Sequence, residues 1–167
     1  MPNRVIGRAR EMKAKDIMNS PVITVSPKAT VGEAAQMMLD NRISCLPVLN
    51  EKGHLVGMLT HSDFGLHRKF MPLADNLYTL FGSWASPETI EQAVKAMSTR
   101  TVDSVMSYPV VTVSEDDPIA KVAEVMARKG VNRVPVMRAD KVVGIITRHD
   151  LLKLIGSQKL VNTDPKA

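Results

Sequence analysis

The sequence is poor in cysteine and in aromatic residues. A single cysteine among 167 residues excludes an internal disulfide framework and is typical of a reducing compartment, so we expect a cytoplasmic protein. Aromatic residues make up 4% of the chain, so the predicted core is built from aliphatic residues and the 11 methionines. Hydrophobic residues at 44% and charged residues at 23% are ordinary for a folded globular chain, which excludes disorder.

Long apolar runs are also missing. None approaches the roughly 20 residues that a membrane-spanning helix needs, and the charged N-terminus is not followed by an apolar block. We therefore expect neither a membrane association nor a signal peptide. The net charge of +5 is a modest excess that favours anionic partners such as nucleotides, nucleic acid or acidic lipid.

The basic residues are scattered, and their densest stretch lies near the N-terminus. It consists of Arg4, Arg8, Arg10, Lys13 and Lys15. We interpret this stretch as a solvated end of the chain. The alternative is a nucleic-acid or protein interaction module that uses this basic arm and keeps only vestigial ligand sites.

The chain contains an internal repeat. The run Ile17–Val25 returns as Val105–Val113, with a proline at the same place in each copy. Three further features recur in the same order: Leu46-Pro47-Val48 as Val134-Pro135-Val136, Leu55–Thr60 as Val142–Thr147, and Asp63 as Asp150. Chance does not keep so many blocks in register, so the two copies share one local fold.

Each copy predicts the element order β-α-β-β-α. β-branched runs open the copies at residues 22–25 and 110–113, and two short strands joined by a tight turn follow the first helix. The predicted strands are 45–49 and 55–59 in the first copy and 133–137 and 142–146 in the second. A closing helix begins after Thr60 or Thr147.

Capping signals delimit the first helix of each copy. Thr30 with Glu33 forms a predicted capping box for a helix that runs to about Asn41. In the second copy we predict Asp117 as the N-cap, a proline at the first helical position, and Gly130 as the stop.

We expect an α/β (α+β) fold in which two pseudo-symmetric repeats pack sheet to sheet into one globule. A unit of about 55–60 residues buries too little apolar surface to be comfortable alone. The predicted divisions are an N-terminal arm (1–13), repeat 1 (14–71), an inserted linker with a helix (72–98), repeat 2 (99–156) and a C-terminal tail (157–167).

The insert carries an apolar cluster and one predicted helix. The cluster is formed by Leu77, Leu80, Phe81 and Trp84, and the helix begins after Ser86 with its apolar positions at Ile90, Ala93, Val94 and Met97. We interpret the insert as a connection that covers the core, the alternative being a lid or an interaction element.

The repeated blocks resemble a tandem pair of cystathionine-beta-synthase (CBS) domains, also called a Bateman module. The resemblance covers residues 14–71 and 99–156, and it rests on two patterns in register. It implies a stand-alone regulatory module, not an enzyme, that binds an adenosine-containing ligand between the repeats, as in energy sensing. AMP, ADP and ATP are the leading ligands, NAD and S-adenosylmethionine are further ones, and a homodimer is implied.

The segments Thr60–Asp63 and Thr147–Asp150 each follow a strand and open a helix. The plain interpretation is structural, because threonine caps the helix and aspartate lies near its positive end. The functional interpretation uses the same geometry, since a carboxylate can accept hydrogen bonds from both hydroxyls of a ribose diol. Both roles are compatible, and we predict a ribose contact for at least one aspartate.

The resemblance also implies residues that line the ligand cleft. Those before the proline-containing strands are Ile43, Ser44 and Cys45, and Val131, Asn132 and Arg133. The opening strands add Ser20, Val22, Ile23 and Thr24, and Tyr108, Val110, Val111 and Thr112.

Two unequal sites follow from these positions. The implied Asp150 site combines Thr147 and Arg133 with Ile43 and Ser44, and Arg133 is implied to hold a phosphate. The implied Asp63 site combines Thr60 with Val131 and Asn132, and Cys45 stands where the arginine would be. Arg148, His61 or a residue of the arm is the alternative phosphate partner there.

An enzyme is the main alternative of a different class. Cys45 is a candidate nucleophile, but it begins an apolar strand and no histidine partner is fixed by the pattern. The four histidines are dispersed, so we predict no metal site: His54, His61, His67 and His149.

Overall fold

The structure of the chain is a computed structural model, and it describes residues 12–64 and 87–161. The described chain contains both helices and strands. In order they are α1 (Ala14–Ile17), α2 (Val31–Asn41), β1 (Cys45–Leu49), β2 (Leu55–Thr60), α3 (His61–Phe64), α4 (Pro87–Ser98), a 3-10 turn (Val102–Ser104), β3 (Val113–Ser114), α5 (Ile119–Lys129), β4 (Arg133–Arg138), β5 (Lys141–Thr147) and α6 (Arg148–Val161).

The chain forms two compact α+β units. Of the described residues, the central unit comprises 23–64 and 87–110, and the terminal unit comprises 12–22 and 111–161. The compact units and the sequence repeats therefore consist of different stretches. The opening segment of the first repeat, up to residue 22, belongs to the terminal unit, and the opening segment of the second repeat, up to residue 110, belongs to the central unit.

The central unit is built on the antiparallel hairpin β1–β2. Cys45 pairs with Thr60 at one end of the hairpin, and the register shifts between Val48 and Leu49 at the other. Val25 forms a parallel bridge with Val48. Aliphatic residues and Met38 fill the core: Val25, Val31, Ala34, Met38, Leu46, Val48, Leu59, Val102 and Val105.

The terminal unit repeats this arrangement with a third short strand. β4 and β5 are antiparallel with Arg133 opposite Thr147, and β3 lies parallel to β4 with Val113 opposite Val136. Its register shift follows Val136, the counterpart of the shift after Val48. The core contains Ala14, Val113, Val122, Met126, Val134, Val136 and Ile146.

The predicted hairpins and the first helix are confirmed. Thr30 Oγ1 accepts a hydrogen bond from Glu33 N, and the Glu33 carboxylate accepts one from Thr30 N, which is the predicted capping box. Gly130 ends α5 in the left-handed conformation that glycine adopts without a steric penalty. The closing helices α3 and α6 begin directly after the two threonines.

Two local predictions are wrong. Asp117 is not the N-cap of α5: Pro118 occupies that position, and the Asp117 carboxylate accepts from Ser114 N and pairs with Lys121. The opening β-branched runs are not four-residue strands either. Val25 forms one parallel bridge with Val48, and of the second run Val113 alone belongs to a strand, the two-residue β3.

The predicted helix of the insert is confirmed as α4. Met97 packs against the central core, whereas Val94, which was also predicted on the apolar face, is 62% exposed. The apolar cluster of Leu77, Leu80, Phe81 and Trp84 lies outside the described residues. Within the described residues, we find no helix with the length and apolar character that a bilayer crossing requires.

A methionine lies directly on a strand glycine in each unit. A Cβ atom built on Gly57 would lie 2.2 Å from Sδ of Met106, and one built on Gly144 would lie 2.3 Å from Sδ of Met18. Met18 and Met106 belong to the opening segments of the two repeats. Because each glycine has no side chain, the methionine can pack directly against the strand at that position.

The two contacts predict different responses to a pair of substitutions. Gly57→Ala and Gly144→Ala should each destabilise their unit by about 1–3 kcal/mol, because the added methyl group overpacks the contact. Met106→Ala should relieve most of the Gly57→Ala cost, since the three atoms nearest the new Cβ are Sδ, Cγ and Cε of Met106. Met18→Ala should relieve Gly144→Ala only in part, because it removes Sδ and Cγ but leaves Cβ of Met18 2.8 Å from the new methyl group.

Double-mutant cycles from urea unfolding measure these couplings. The structure predicts a large coupling energy for the Gly57–Met106 pair and a smaller one for Gly144–Met18. Equal coupling in the two cycles would contradict the packing described.

Candidate functional site

The segment Thr147–Asp150 folds into a compact hydrogen-bonded turn at the start of α6. Oδ2 of Asp150 accepts from Thr147 N at 2.8 Å and from Thr147 Oγ1 at 2.7 Å, and Asp150 N donates back to Thr147 Oγ1 at 3.3 Å. This is a reciprocal cap of the helix start. The predicted structural role of both residues is therefore observed.

The segment Thr60–Asp63 has the same geometry in the central unit. Oδ2 of Asp63 accepts from Thr60 N at 2.7 Å and from Thr60 Oγ1 at 2.8 Å. The two carboxylates differ in exposure, because Asp150 is buried at 8% exposure whereas Asp63 is half-buried.

Two donors next to these carboxylates were missed by the sequence analysis. Asn19 Nδ2 donates to Oδ2 of Asp150 at 2.9 Å, and Ser107 Oγ donates to Oδ1 of Asp63 at 3.3 Å. Asn19 and Ser107 occupy equivalent positions in the repeated run. Each directly follows the methionine that packs on a strand glycine. The repeat in the sequence indicates that the two residues are equivalent. The neighbouring residues in the sequence do not indicate which unit each segment joins.

The pKa of the Asp150 carboxyl lies below its ordinary value. Burial raises this pKa, but the hydrogen bonds from Thr147 and Asn19 favour the charged form and outweigh burial. The Lys153 ammonium, 3.6 Å from Oδ1, acts in the same direction. The carboxylate is therefore held in its charged, acceptor-only form at neutral pH.

The residues before the proline-containing strands lie beside the capped turns. Arg148 N donates to Asn132 O at 3.0 Å, and Arg133 is the strand partner of Thr147. In the central unit His61 N donates to Ser44 O at 3.1 Å, and Cys45 stands opposite Thr60. Each unit thus places the predicted site residues before its proline-containing strand next to its own Thr-x-x-Asp turn.

Several predicted wall residues also belong to the cores. Ile23 and Ile43 are half-buried against the central core, and Val111 and Val131 are half-buried against the terminal core. Thr24 is half-buried and Thr112 is exposed. Ile43 and Ser44 belong to the unit that does not contain Asp150, so their predicted combination with Asp150 stays a prediction.

Other predicted chemistries have no assembled site in the described part of the chain. Cys45 is buried within β1. No group of three His, Cys, Asp or Glu side chains is arranged for a metal ion within residues 12–64 and 87–161. Lys13 and Lys15 of the basic stretch both pair with Asp116, at 3.2 and 2.8 Å, and the three arginines lie outside the described residues.

A groove of about 390 Å³ is present elsewhere on the central unit. It lies at the turn between β1 and β2 and is lined by Ser26, Pro27, Lys28, Asn50, Glu51, Lys52 and His54. None of the predicted site residues lines it, and Lys28 and Glu51 already form an ion pair across it at 2.6 Å.

The lowered pKa of Asp150 predicts how stability responds to acid. A folded-state pKa below the ordinary value of about 3.9 stabilises the protein above that value, and this contribution disappears as the pH falls through it. Asp150→Asn should therefore be less stable than the wild type at pH 7, and the difference should shrink below about pH 5.

Urea unfolding between pH 7 and pH 3 measures this difference. Leu152→Ala is the matched control on the same helix, because an exposed leucine carries no titrating group and its stability difference should not change with pH. A difference between Asp150→Asn and wild type that stays constant down to pH 3 would contradict the prediction.

Comparison with known proteins agrees with this architecture. The family model described as CBS domain matches residues 14–64 and again residues 102–157. A curated relative, the L-aspartate semialdehyde sulfurtransferase of Methanocaldococcus jannaschii, is 30% identical over 146 residues, which cover 87% of this chain. The chain spans only 23% of that relative's length.

Solved structures of similar size share the fold. The CBS domain of a CBS domain containing membrane protein from Sphaerobacter thermophilus is 38% identical with a TM-score of 0.69, covering 87% of this chain and 88% of that one. The CBS domain pair of protein MJ0100, crystallised with 5′-methylthioadenosine and S-adenosyl-L-methionine, is 28% identical with a TM-score of 0.65, covering 88% and 98%. The two matched regions and the shared fold identify this chain as a member of the CBS domain family that carries two CBS domains.

Proposed function

We propose that the chain is a regulatory module that binds an adenosine-containing ligand at the Thr-x-x-Asp turns. The observation that carries the proposal is the state of the Asp150 carboxylate. Its Oδ2 atom accepts three hydrogen bonds from the protein, whereas the contact of Oδ1 is the Lys153 ammonium at 3.6 Å. A charged carboxylate held by one oxygen offers the other to the two hydroxyl donors of a ribose diol.

The surroundings of Asp150 suit the remainder of such a ligand. The backbone of Asn132 is bonded to the same turn and Arg133 is the strand partner of Thr147. α6 begins there, and the positive end of its dipole favours an anion. The MJ0100 pair was crystallised with two adenosine derivatives, which supports the ligand class. AMP, ADP and ATP are our leading ligands because Arg133 is suited to a phosphate.

A regulatory role is more consistent with this chain than catalysis. Cys45 is buried within β1, and the match to the sulfurtransferase relative covers only 23% of that relative's length. The homodimer, the cytoplasmic location and the role in energy sensing stay predictions. The regulated partner would be a second protein or a second domain.

Asp150→Asn tests the ligand contact without removing the cap. The asparagine can turn its carbonyl oxygen towards the Thr147 donors, which leaves an NH₂ group where Oδ1 accepted from the diol. We expect affinity for adenosine and AMP to fall about 10- to 100-fold, the loss of a charged hydrogen bond, as measured by isothermal titration calorimetry.

Two controls make this experiment specific. Binding of 2′,3′-dideoxyadenosine, which lacks the diol, should be weak and equal in wild type and Asp150→Asn. Asp63→Asn removes the equivalent group of the central unit and should affect a separate binding event. Unchanged affinity of Asp150→Asn for every adenosine ligand would reduce Asp150 to a helix cap.

Arg133→Ala tests whether the two sites are unequal. Arg133 presents a planar set of donors suited to phosphate, whereas Cys45 holds the equivalent place in β1. We expect Arg133→Ala to weaken AMP binding at the tighter site about tenfold or more while leaving adenosine binding nearly unchanged.

Arg138→Ala is the matched control for this charge. It removes an arginine from the other end of β4, where Arg138 pairs with Glu115, so AMP affinity should not change. If the two variants weaken AMP binding equally, the effect comes from net charge and not from a phosphate contact.

A further inference from the structure

The segment at the start of the first repeat is attached firmly to the terminal unit. Ala14 is fully buried, its N–H donates to Asp117 O at 2.8 Å, and Lys15 N donates to Glu115 O at 3.0 Å. Lys13 and Lys15 also pair with Asp116. Residues 12–19, which we call the docking segment, are thus held by both backbone and charge.

The docking segment ends on β5, beside the proposed site. Met18 lies against Gly144, and the backbone of Asn19 exchanges two hydrogen bonds with Ile145, at 2.9 and 3.1 Å. Both backbone polar groups of Asn19 are therefore fixed to the strand that leads into the capped turn. The backbone of Asn19 is therefore fixed beside Ile145, which lies two residues before Thr147 in β5.

The Asn19 side chain adds a third donor to one oxygen of Asp150. Its Nδ2 atom donates to Oδ2 of Asp150 at 2.9 Å and to Ile145 O at 3.3 Å. Oδ2 is also the oxygen that accepts both Thr147 donors. All three donors thus converge on one oxygen, and Lys153 is the charged group that faces the other.

The central unit shows that this convergence is not a general property of the repeat. Ser107, the counterpart of Asn19, is attached to Met58 by the same pair of backbone hydrogen bonds, at 3.0 and 2.9 Å. Its hydroxyl donates to Oδ1 of Asp63, which is the oxygen that the Thr60 donors do not use. One unit therefore leaves Oδ1 to its ligand, and the other occupies it.

We propose that Asn19 is the positioning residue of Asp150, which directs Oδ1 towards the ligand and couples docking of residues 12–19 to ligand occupancy. The coupling rests on the proposed function, whereas the positioning does not. Because a ligand that requires the oriented carboxylate binds only the docked state, ligand binding must stabilise docking by the same factor. The docking segment is then the part of the chain that reports an occupied Asp150 site.

The first test needs no ligand. In Asn19→Ala the titration of the Asp150 carboxyl, followed by carboxyl-carbon NMR, should move to higher pH because one donor to the charged form is lost. Ser107→Ala is the matched control and should leave the Asp150 titration unchanged. Asn19→Ser supplies a shorter donor and should fall between wild type and alanine, and it replaces Asn19→Ala if that variant does not fold.

The second test measures the ligand. Asn19→Ala should weaken adenosine binding several-fold with no effect on 2′,3′-dideoxyadenosine, a discrimination that a general loss of stability would not produce. Hydrogen exchange of the Ala14, Lys15 and Asn19 amides should slow in wild type when AMP is added. The limit is about 100-fold at 100 times the dissociation constant, and slowing should be lost in Asn19→Ala.

The outcomes separate the two proposals. If wild type binds no adenosine ligand, the proposed function fails, and the NMR titration still decides the positioning role. If the ligand binds but Asn19→Ala changes neither the Asp150 titration nor the adenosine affinity, the positioning role is overturned. If AMP binds without slowing exchange in residues 14–19, the coupling is overturned.

Discussion

Close contact between a methionine and a strand glycine is the constraint on which the rest of each unit depends. Met18 on Gly144 and Met106 on Gly57 occupy the volume that any other residue in the strand would fill with its own side chain. Glycine in the interior of a strand is ordinarily unfavourable, and a close approach by another backbone is one of its usual reasons. Here the approaching group is the methionine side chain from the opening segment of the other repeat.

This contact decides which polar groups meet at the candidate site. The residue after each methionine forms two backbone hydrogen bonds with the strand, and its side chain reaches the aspartate of the following turn. The aspartate in turn caps the helix through its threonine. One short series of hydrogen bonds therefore joins the strand, the segment and the start of the helix. Loss of one of these bonds is expected to weaken the others.

Each aspartate caps a helix with one carboxylate oxygen and can accept a further hydrogen bond with the other. A helix cap needs only one carboxylate oxygen, which leaves the second for another partner. In the terminal unit Asn19 adds to the occupied oxygen, whereas in the central unit Ser107 takes the second one. A single difference between asparagine and serine thus distinguishes two turns that the Thr-x-x-Asp pattern makes equivalent, independently of the difference between Arg133 and Cys45.

The sequence by itself determined the elements and the repeat. Periodicity, the capping box at Thr30 and the glycine stop at Gly130 are local, so the helices and hairpins could be predicted closely. The predicted N-cap at Asp117 was wrong because its carboxylate accepts a hydrogen bond from Ser114 N and pairs with Lys121. The Thr-x-x-Asp turns were also local and were predicted with their structural role.

The tertiary structure alone decided which segment joins which unit, and hence that Asn19 meets Asp150 and Ser107 meets Asp63. Both strands contain a glycine and both segments a methionine, so each segment matches either strand by local pattern. The choice depends on contacts between residues more than a hundred positions apart, such as Asn19 with Ile145 and Lys15 with Asp116. Local propensity contains no information about such pairs, because their energy exists only when the chain has already folded.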